Sequence, residues 1–222
     1  MDATDYELVD IFNWQDEVEG MISQMEFVRR VDVQTETIER YVREGKLVPD
    51  LVVPMSEHRT FKYFKEETLE KYAAQYGWTL IDDSNRKELF LDMIRQMDMS
   101  YSYKPVLIKA ILLCADDKGC IKLEDIVSYF RSYYEGRRAA GLVVEKTNSI
   151  FAKGGYTDKE AERNILANPF KRFEDMQMLR HTKTLGVVQV DDAVWKKLTK
   201  EEKAEMERIC DQKLAEYFEM MG

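Results

Sequence analysis

The sequence predicts a mainly α-helical fold with short β-hairpins. Apolar residues recur at spacings of three and four along most of the 222 residues, which is typical of amphipathic helices. Two short stretches instead alternate apolar and polar residues between turn signals, which predicts hairpins. Hydrophobic residues make up 45% of the chain, so we expect a substantial buried core.

The composition excludes several classes of protein. Three Cys and two His are too few for a disulfide framework and leave little for a zinc finger, and they favour a reducing compartment. No apolar run approaches the about 20 residues that a membrane-spanning helix requires. The N-terminus lacks the basic start and apolar core of a secretion signal. We therefore expect a cytoplasmic protein with no membrane contact.

The net charge of -9 is concentrated at the N-terminus. Residues 1–20 contain seven acidic residues and no Lys or Arg, whereas 18 basic and 13 acidic residues lie between Lys104 and Lys200. The overall charge therefore does not decide whether the chain binds nucleic acid.

Residues 1–23 form an acidic segment in which apolar residues recur at helical spacing, so we predict one or two short amphipathic helices. Two interpretations stay open for it. The segment is either the solvated face of a helix docked on the body of the protein, or a surface that contacts a partner protein.

Residues 24–80 predict a helix-turn-helix followed by a hairpin and a third helix. Asp32 stands at the N-cap position of a helix predicted over residues 33–44, and Gly45 can end that helix. Alternation predicts two strands with a turn near residues 56–58, followed by a helix over residues 66–76. This order of elements is that of a winged helix-turn-helix.

The segment VQTETIERYVREGKLVPD, residues 33–50, resembles the MerR/excisionase superfamily of DNA-binding domains. Family members commonly place a small hydroxyl residue and a basic residue where this chain has Gln34 and Glu39. The resemblance extends over about residues 24–78 and implies a winged helix that binds double-stranded DNA. The residues that follow the family pattern are Val33, Thr37, Ile38, Tyr41, Gly45, Leu47 and Pro49.

The resemblance also implies a set of DNA-contacting residues on the second helix and the wing. An alternative is a winged helix used for protein contact, because Glu36, Glu39 and Glu44 can pair with neighbouring Arg residues at i,i+4 spacing. The predicted DNA contacts are Gln34, Thr35, Arg40, Arg43, Lys46, His58, Arg59 and Lys62.

Residues 81–103 predict a connecting helix and link, and residues 104–198 predict a second winged-helix-like domain. Pro105 suits the first position of its opening helix, with Ser102 as a cap. Thr157 and Glu160 form a capping box, and a hairpin turns around residues 183–186. This half loosely resembles a module of bacterial restriction-type helicases and defence proteins. Its candidate nucleic-acid contacts are Lys171, Arg172, Arg180 and Lys183.

Residues 199–222 predict a C-terminal helix that opens with a capping box of Thr199 and Glu202. Its apolar stripe has two open interpretations. It packs within its own chain, or it forms a homodimer through residues 199–221.

We find no sequence pattern for catalysis or for a cofactor. The chain has no Gly-rich phosphate loop and no nucleophile elbow. Asp116 and Lys118 have the acid-x-Lys spacing of restriction nucleases, but the one Pro-Asp pair, Pro49–Asp50, lies in another domain. We expect no catalytic residues, metal site or cofactor. An enzyme with a dispersed carboxylate site is the least favoured alternative.

Two hypotheses of function follow from these patterns. The first is a DNA-binding protein of bacterial or phage origin, most simply a transcriptional regulator that uses the MerR-like winged helix. The second is a protein-interaction module, such as an inhibitor or accessory subunit of a nucleic-acid-processing machine in defence or anti-defence. In the second, the acidic segment contacts the partner.

Overall fold

The computed structural model describes residues 14–56 and 59–221. It is mainly helical and contains two three-stranded antiparallel sheets, which confirms the predicted mainly α class with short hairpins. The chain divides into two compact units, Met1–Asp82 and Asp83–Gly222, called unit 1 and unit 2 below. Most of the predicted acidic segment, residues 1–13, lies outside the described residues, as does His58.

In unit 1, a four-residue helix, a short strand and two further helices precede a hairpin, and a helix follows it. The sheet has the order β1-β3-β2, so the first strand pairs with the last, with Ile22 opposite Phe64. The elements are α1 (Trp14–Glu17), β1 (Ile22–Ser23), α2 (Gln24–Arg29), α3 (Thr35–Arg43), β2 (Leu51–Ser56), β3 (Arg59–Phe64) and α4 (Glu66–Tyr76).

Helix α3 begins two residues after the predicted start near Val33. The helix begins at Thr35 with Gln34 at the N-cap, and the Gln34 side chain makes no capping hydrogen bond. Asp32, the predicted cap, instead accepts a hydrogen bond from the backbone N–H of Thr79 at 2.8 Å. Asp32 is thus engaged by the chain that follows α4, a contact that no local pattern predicts.

The core of unit 1 is apolar and rich in aromatic residues. The Phe27 ring is fully buried, with its centroid 4.7 Å from that of Phe64 and 6.5 Å from that of Trp78. Ile38 from α3 and Leu69 from α4 complete the contact between the helices and the sheet.

Unit 2 contains helices around a second sheet of order β4-β6-β5. Helix α5 contacts α11 and α12, so the residues predicted as a connector (81–103) lie largely inside unit 2. The elements are α5 (Arg86–Arg95), α6 (Tyr103–Cys114), β4 (Cys120–Lys122), α7 (Leu123–Ala139), α8 (Ile150–Lys153), α9 (Asp158–Ile165), a π-type turn (Leu166–Phe170), α10 (Lys171–Asp175), β5 (Leu179–Thr182), β6 (Val187–Val190), α11 (Asp192–Trp195) and α12 (Lys200–Glu219).

Both predicted capping boxes are confirmed, Thr157 with Glu160 at the start of α9 and Thr199 with Glu202 at the start of α12. Helix α12 packs on α5 and α6 of its own chain. The residues that it buries there are Met206, Cys210, Leu214 and Tyr217. The apolar stripe that suggested a homodimer through residues 199–221 is therefore covered within unit 2.

The start of α6 differs from the prediction and reveals a buried polar cluster. Tyr103 begins the helix and Pro105 is its third residue, while the Ser102 side chain makes no capping bond. The Ser102 backbone N–H donates to Glu145 Oε2 at 2.8 Å, and its hydroxyl bonds to the same carboxylate and to the Tyr134 hydroxyl. Tyr217 donates to Glu145 Oε1. We call Ser102, Tyr134, Glu145 and Tyr217 the buried polar cluster.

Across residues 14–56 and 59–221, the helices are all too short or too polar to cross a membrane.

Candidate nucleic-acid interface

Helix α3 buries one side in the core of unit 1 and exposes the other. Ile38 is fully buried, whereas Gln34, Glu39 and Arg43 are exposed. Gln34 and Thr35 lie at the N-terminal end of the helix, and Arg40 and Arg43 lie in its last turns. The exposed side therefore presents one polar end, one cationic end and carboxylates between them.

The cationic side chains near the C-terminal end of α3 differ in the contacts that they make with the rest of the unit. Lys46 Nζ lies 2.7 Å from Glu44 Oε2, which raises the pKa of Lys46 and lowers that of Glu44. The Arg40 guanidinium lies 5.5 Å from the centroid of the Tyr41 ring. The Arg43 guanidinium makes no hydrogen bond or ion pair with another described residue. Arg43 is therefore the cation on α3 most available to a ligand.

The i,i+4 ion pairs expected in the protein-contact alternative do not form within the described part of unit 1. Glu44 pairs with Lys46 rather than with Arg40, and neither Glu36 nor Glu39 comes within 4.0 Å of a cationic nitrogen of the described residues. The carboxylate of Glu39 is thus as open to a ligand as the guanidinium of Arg43.

Two further predicted DNA contacts of unit 1, Arg59 and Lys62, lie on strand β3 of the hairpin. Lys62 is half-buried in β3 opposite Val52, and it makes no ion pair with a described residue. Arg59 begins β3 opposite Ser56, and only its backbone lies within the described structure.

An aromatic cluster fixes the chain at the end of α3. The Tyr76 hydroxyl donates to the backbone carbonyl of Lys46 at 2.9 Å, and the Tyr41 ring lies 4.9 Å from the Tyr76 ring. Tyr72 accepts a hydrogen bond from the Val48 N–H at 3.0 Å. These bonds hold the α3–β2 connection against α4, so the exposed side of α3 is presented on a rigid support.

The candidate contacts of unit 2 do not share one surface environment. Lys171 pairs with Asp175, and Arg180 donates to the Gln189 side chain at 3.0 Å. Lys183 is exposed in the hairpin turn. Arg172 is half-buried in a small pocket that Lys104 also lines.

His181 and Lys183 line a larger cleft of about 750 Å³ between α7, α9 and the β5–β6 hairpin. Acidic side chains of α7 and α9, among them Asp125 and Glu162, line the same cleft. The cleft is therefore of mixed charge and does not form a continuous basic surface with Lys171 or Arg172.

The two units carry different charge. Residues 1–82 contain 9 Lys and Arg against 18 Asp and Glu, whereas residues 83–222 contain 24 of each. Unit 1 is therefore acidic, and any contact that it makes with DNA depends on where its few free cations lie.

No group of three or more His, Cys, Asp or Glu that could hold a metal ion occurs within the described ranges. Asp116 of the acid-x-Lys pattern uses Oδ1 to accept the backbone N–H groups of Lys118 and Cys120, both at 2.8 Å. Its carboxylate caps a tight turn, as expected of paired acids in a turn.

No protein-family model, curated protein or solved structure matches this chain.

Two features of unit 2 escaped the sequence interpretation, namely the buried polar cluster and the pocket that joins Lys104 to Arg172. Each brings together residues that are far apart in the chain. Glu145 is followed by Lys146 in a loop that reads as solvated, yet it is only 4% exposed. A carboxylate in a long loop was the one signal in the sequence, and it does not identify a partner.

Proposed function

We propose that the protein binds double-stranded DNA through a winged helix formed by unit 1, and that it acts as a regulator of bacterial or phage origin. The observation that carries the proposal is the order of elements. After α1, the order of a strand, two helices, a hairpin and a helix, with the sheet ordered β1-β3-β2, supports a winged helix in which α3 is the exposed second helix of the motif. The sequence resemblance over residues 24–78 favours the same assignment.

In this proposal α3 enters the major groove, whose width accepts one helix. The N-terminal end of the recognition helix contacts base edges in helix-turn-helix proteins, which assigns base contact to Gln34 and Thr35. A Gln amide can bond adenine in a bidentate manner. Arg43 and Lys62, which are not ion-paired within the described structure, would contact phosphates, with Arg40, Lys46 and Arg59 beside them.

Glu39 is the residue that most constrains this arrangement. A carboxylate that faces phosphates is repelled, but one that faces a base edge can accept a hydrogen bond from the cytosine amine. We therefore assign Glu39 to base contact. Glu39→Gln is expected to raise affinity for random-sequence DNA because it removes repulsion from the phosphates.

Unit 2 supports a second winged helix in the same chain. Its sheet has the order β4-β6-β5, in which the first strand again pairs with the last, and helices separate β4 from the hairpin. Because Lys171 and Arg180 are already engaged, we assign the main DNA contact to unit 1.

The proposal is tested by fluorescence anisotropy with short duplexes over a range of salt concentrations. We expect affinity to fall as salt rises, since counterions are released from the phosphates. Lys62→Ala should weaken binding to all sequences alike and lower the salt slope by about 1. Lys71→Ala, an exposed lysine on α4, is the matched control and should leave the slope unchanged. Failure to bind any duplex at low salt would end the proposal.

A second candidate function is supported by the charge of unit 1. Unit 1 contains 18 acidic and 9 basic residues, and seven of the acidic residues lie in residues 1–20. This acidic excess could imitate the charge of a nucleic acid toward a partner protein. Deletion of residues 1–20 separates the two candidates. DNA affinity should hold or rise under the first, while binding to a nuclease or helicase partner should fail under the second.

A further inference from the structure

A small pocket in unit 2 brings two cationic side chains together. It has a volume of about 220 Å³, and both Lys104 and Arg172 line it. Lys104 comes from the first turn of α6 and Arg172 from α10, so the fold rather than the local sequence creates the pair.

Arg172 lacks a partner for its charge. Its Nη1 atom is shielded from solvent and has no hydrogen-bond partner, and the guanidinium forms no ion pair with a described residue. A buried donor on a charged group is costly when it is left unpaired. Because no bond anchors the guanidinium, it can turn its nitrogens toward a ligand in the pocket.

Lys104 adds a second charge beside it. Its Nζ donates to the backbone carbonyl of Asp98 at 2.6 Å, which places the ammonium beyond the N-terminal end of α6, where the helix dipole is positive. Burial lowers the pKa of Lys104, and the nearby charge of Arg172 lowers it further, while Asp98 opposes this effect. Asp98 also lines the pocket, but it is exposed and its carboxylate lies within 4.0 Å of neither cationic group, so it forms no ion pair with Lys104 or Arg172.

The other walls of the pocket strengthen any charge interaction within it. Met93, Met97 and Phe173 line it with apolar surface, which lowers the local dielectric, and Gln96 and Asp98 complete the lining. A water occupies about 30 Å³ of liquid, whereas drug-sized ligands need about 300 Å³ or more. The pocket therefore fits a tetrahedral oxyanion with a few waters rather than a whole nucleotide.

We propose that this pocket binds a phosphate-sized oxyanion, with Arg172 as a two-nitrogen donor and Lys104 as a point charge. This site does not rest on the DNA-binding proposal for unit 1. The anion is either free in solution or the phosphate group of a larger molecule whose remainder stays outside the pocket.

The test is calorimetric and thermal titration of the full chain with inorganic phosphate, against chloride at matched ionic strength. We expect a saturable rise in Tm, because a ligand that binds the folded state stabilises it. Arg172→Met and Lys104→Met, which keep most of the side-chain volume, should each weaken phosphate binding about ten-fold or more. Lys171→Met is the matched control, since Lys171 is exposed and paired with Asp175.

Two results would overturn the site. One is the absence of a saturable, phosphate-specific rise in Tm, and the other is an equal rise in wild type and in Arg172→Met. Folding of the variants is checked by circular dichroism. Arg172→Met removes an unpaired buried donor, so its Tm without phosphate should equal or exceed that of wild type.

A second titration identifies the source of the anion and separates this site from the DNA-binding proposal. Phosphate is added at fixed ionic strength to the protein bound to a labelled duplex. If phosphate displaces DNA from wild type but not from Arg172→Met, the pocket holds a backbone phosphate. If added phosphate leaves DNA binding unchanged while it still raises Tm, the pocket holds a free anion. Either result supports the site, and neither the calorimetric nor the thermal measurement requires DNA.

Discussion

Unit 1 and unit 2 share an order of strands but have different interiors. In each sheet the first strand pairs with the last strand, and the last strand also pairs with the second strand to form the hairpin. Unit 1 is held by an apolar core in which Phe27, Phe64 and Trp78 pack together. Unit 2 also buries Glu145, with its carboxylate satisfied by Ser102 and Tyr217. One strand topology is thus compatible with two kinds of interior.

The same comparison extends to the surface. Unit 1 has excess acid but leaves Arg43 and Lys62 unpaired within the described structure, whereas unit 2 is neutral and engages Lys171 and Arg180. The net charge of a unit therefore does not indicate which of its cations are free for a ligand. Only the contacts of each side chain decide that.

The largest expected effect is on the apolar interior of unit 1. Phe27→Ala should lower the free energy of unfolding of unit 1 by about 4 kcal/mol, because a fully buried ring is lost and a cavity remains. Hydrogen exchange in denaturant, read from peptides of residues 14–82, measures it. Met25→Ala on the same helix is the control, and it should cost no more than about 0.5 kcal/mol because Met25 is 66% exposed. A loss below about 1 kcal/mol for Phe27→Ala would contradict the apolar-core account.

The next effect tests the polar interior of unit 2. Glu145→Ala leaves the Ser102 N–H and the Tyr217 hydroxyl without their acceptor, so unit 2 should lose about 3 kcal/mol of unfolding free energy. Urea unfolding of the full chain, compared with the exposed control Glu219→Ala on α12, measures the loss. Equal stability of the two variants would show that the cluster does not stabilise the unit.

The pH dependence of stability also distinguishes the polar interior of unit 2 from the apolar interior of unit 1, because buried tyrosines surround Glu145. Burial, the main cause, raises the pKa of Tyr103 to about 12 even though its hydroxyl donates to Ser149 at 2.6 Å. The unfolded state loses this proton near pH 10 and the folded state near pH 12. The stability that Tyr103 contributes should therefore be complete below pH 10 and be lost at about 1.4 kcal/mol per pH unit between pH 10 and pH 12. Tyr103→Phe should reduce the slope of unfolding free energy against pH by the contribution of one proton, as measured by urea unfolding at alkaline pH. An unchanged slope would refute this assignment.

The smallest effect concerns a local feature rather than the interior. Thr199→Ala removes the confirmed cap of α12 and should cost about 1 kcal/mol in unit 2. Thr199→Ser keeps the hydroxyl and serves as the control in the same urea experiment. A loss as large as that of Glu145→Ala would mean that the helix end, rather than the buried polar cluster, determines the stability of unit 2.

The sequence predicted well what depends on local chemistry. Both capping boxes were found because Thr and Glu three residues apart bond to each other's backbone. The hairpin of unit 2 was found because β5 and β6 alternate around a turn that contains Gly186. The C-terminal stripe was also recognised, although the sequence left its partner open.

Long-range contacts account for what the sequence missed. Asp32 and Ser102 were predicted as caps from their positions, but Asp32 accepts from Thr79 and Ser102 bonds to Glu145. The pocket of Lys104 and Arg172 was missed for the same reason, since Arg172 was taken as a surface contact. A polar residue before a helix is a cap only if nothing distant competes for its side chain, and that competition is decided by tertiary structure.

We propose that unit 1, rather than unit 2, makes the main contact with DNA. This proposal is tested most directly by the salt dependence of duplex binding for Arg43→Ala and Arg180→Ala, measured side by side. We predict that Arg43→Ala weakens binding and lowers the salt slope by about 1, since its guanidinium is free of ion pairs among the described residues. Arg180→Ala should leave both unchanged, because Arg180 is bonded to Gln189. The reverse pattern, with the loss in Arg180→Ala alone, would contradict the account.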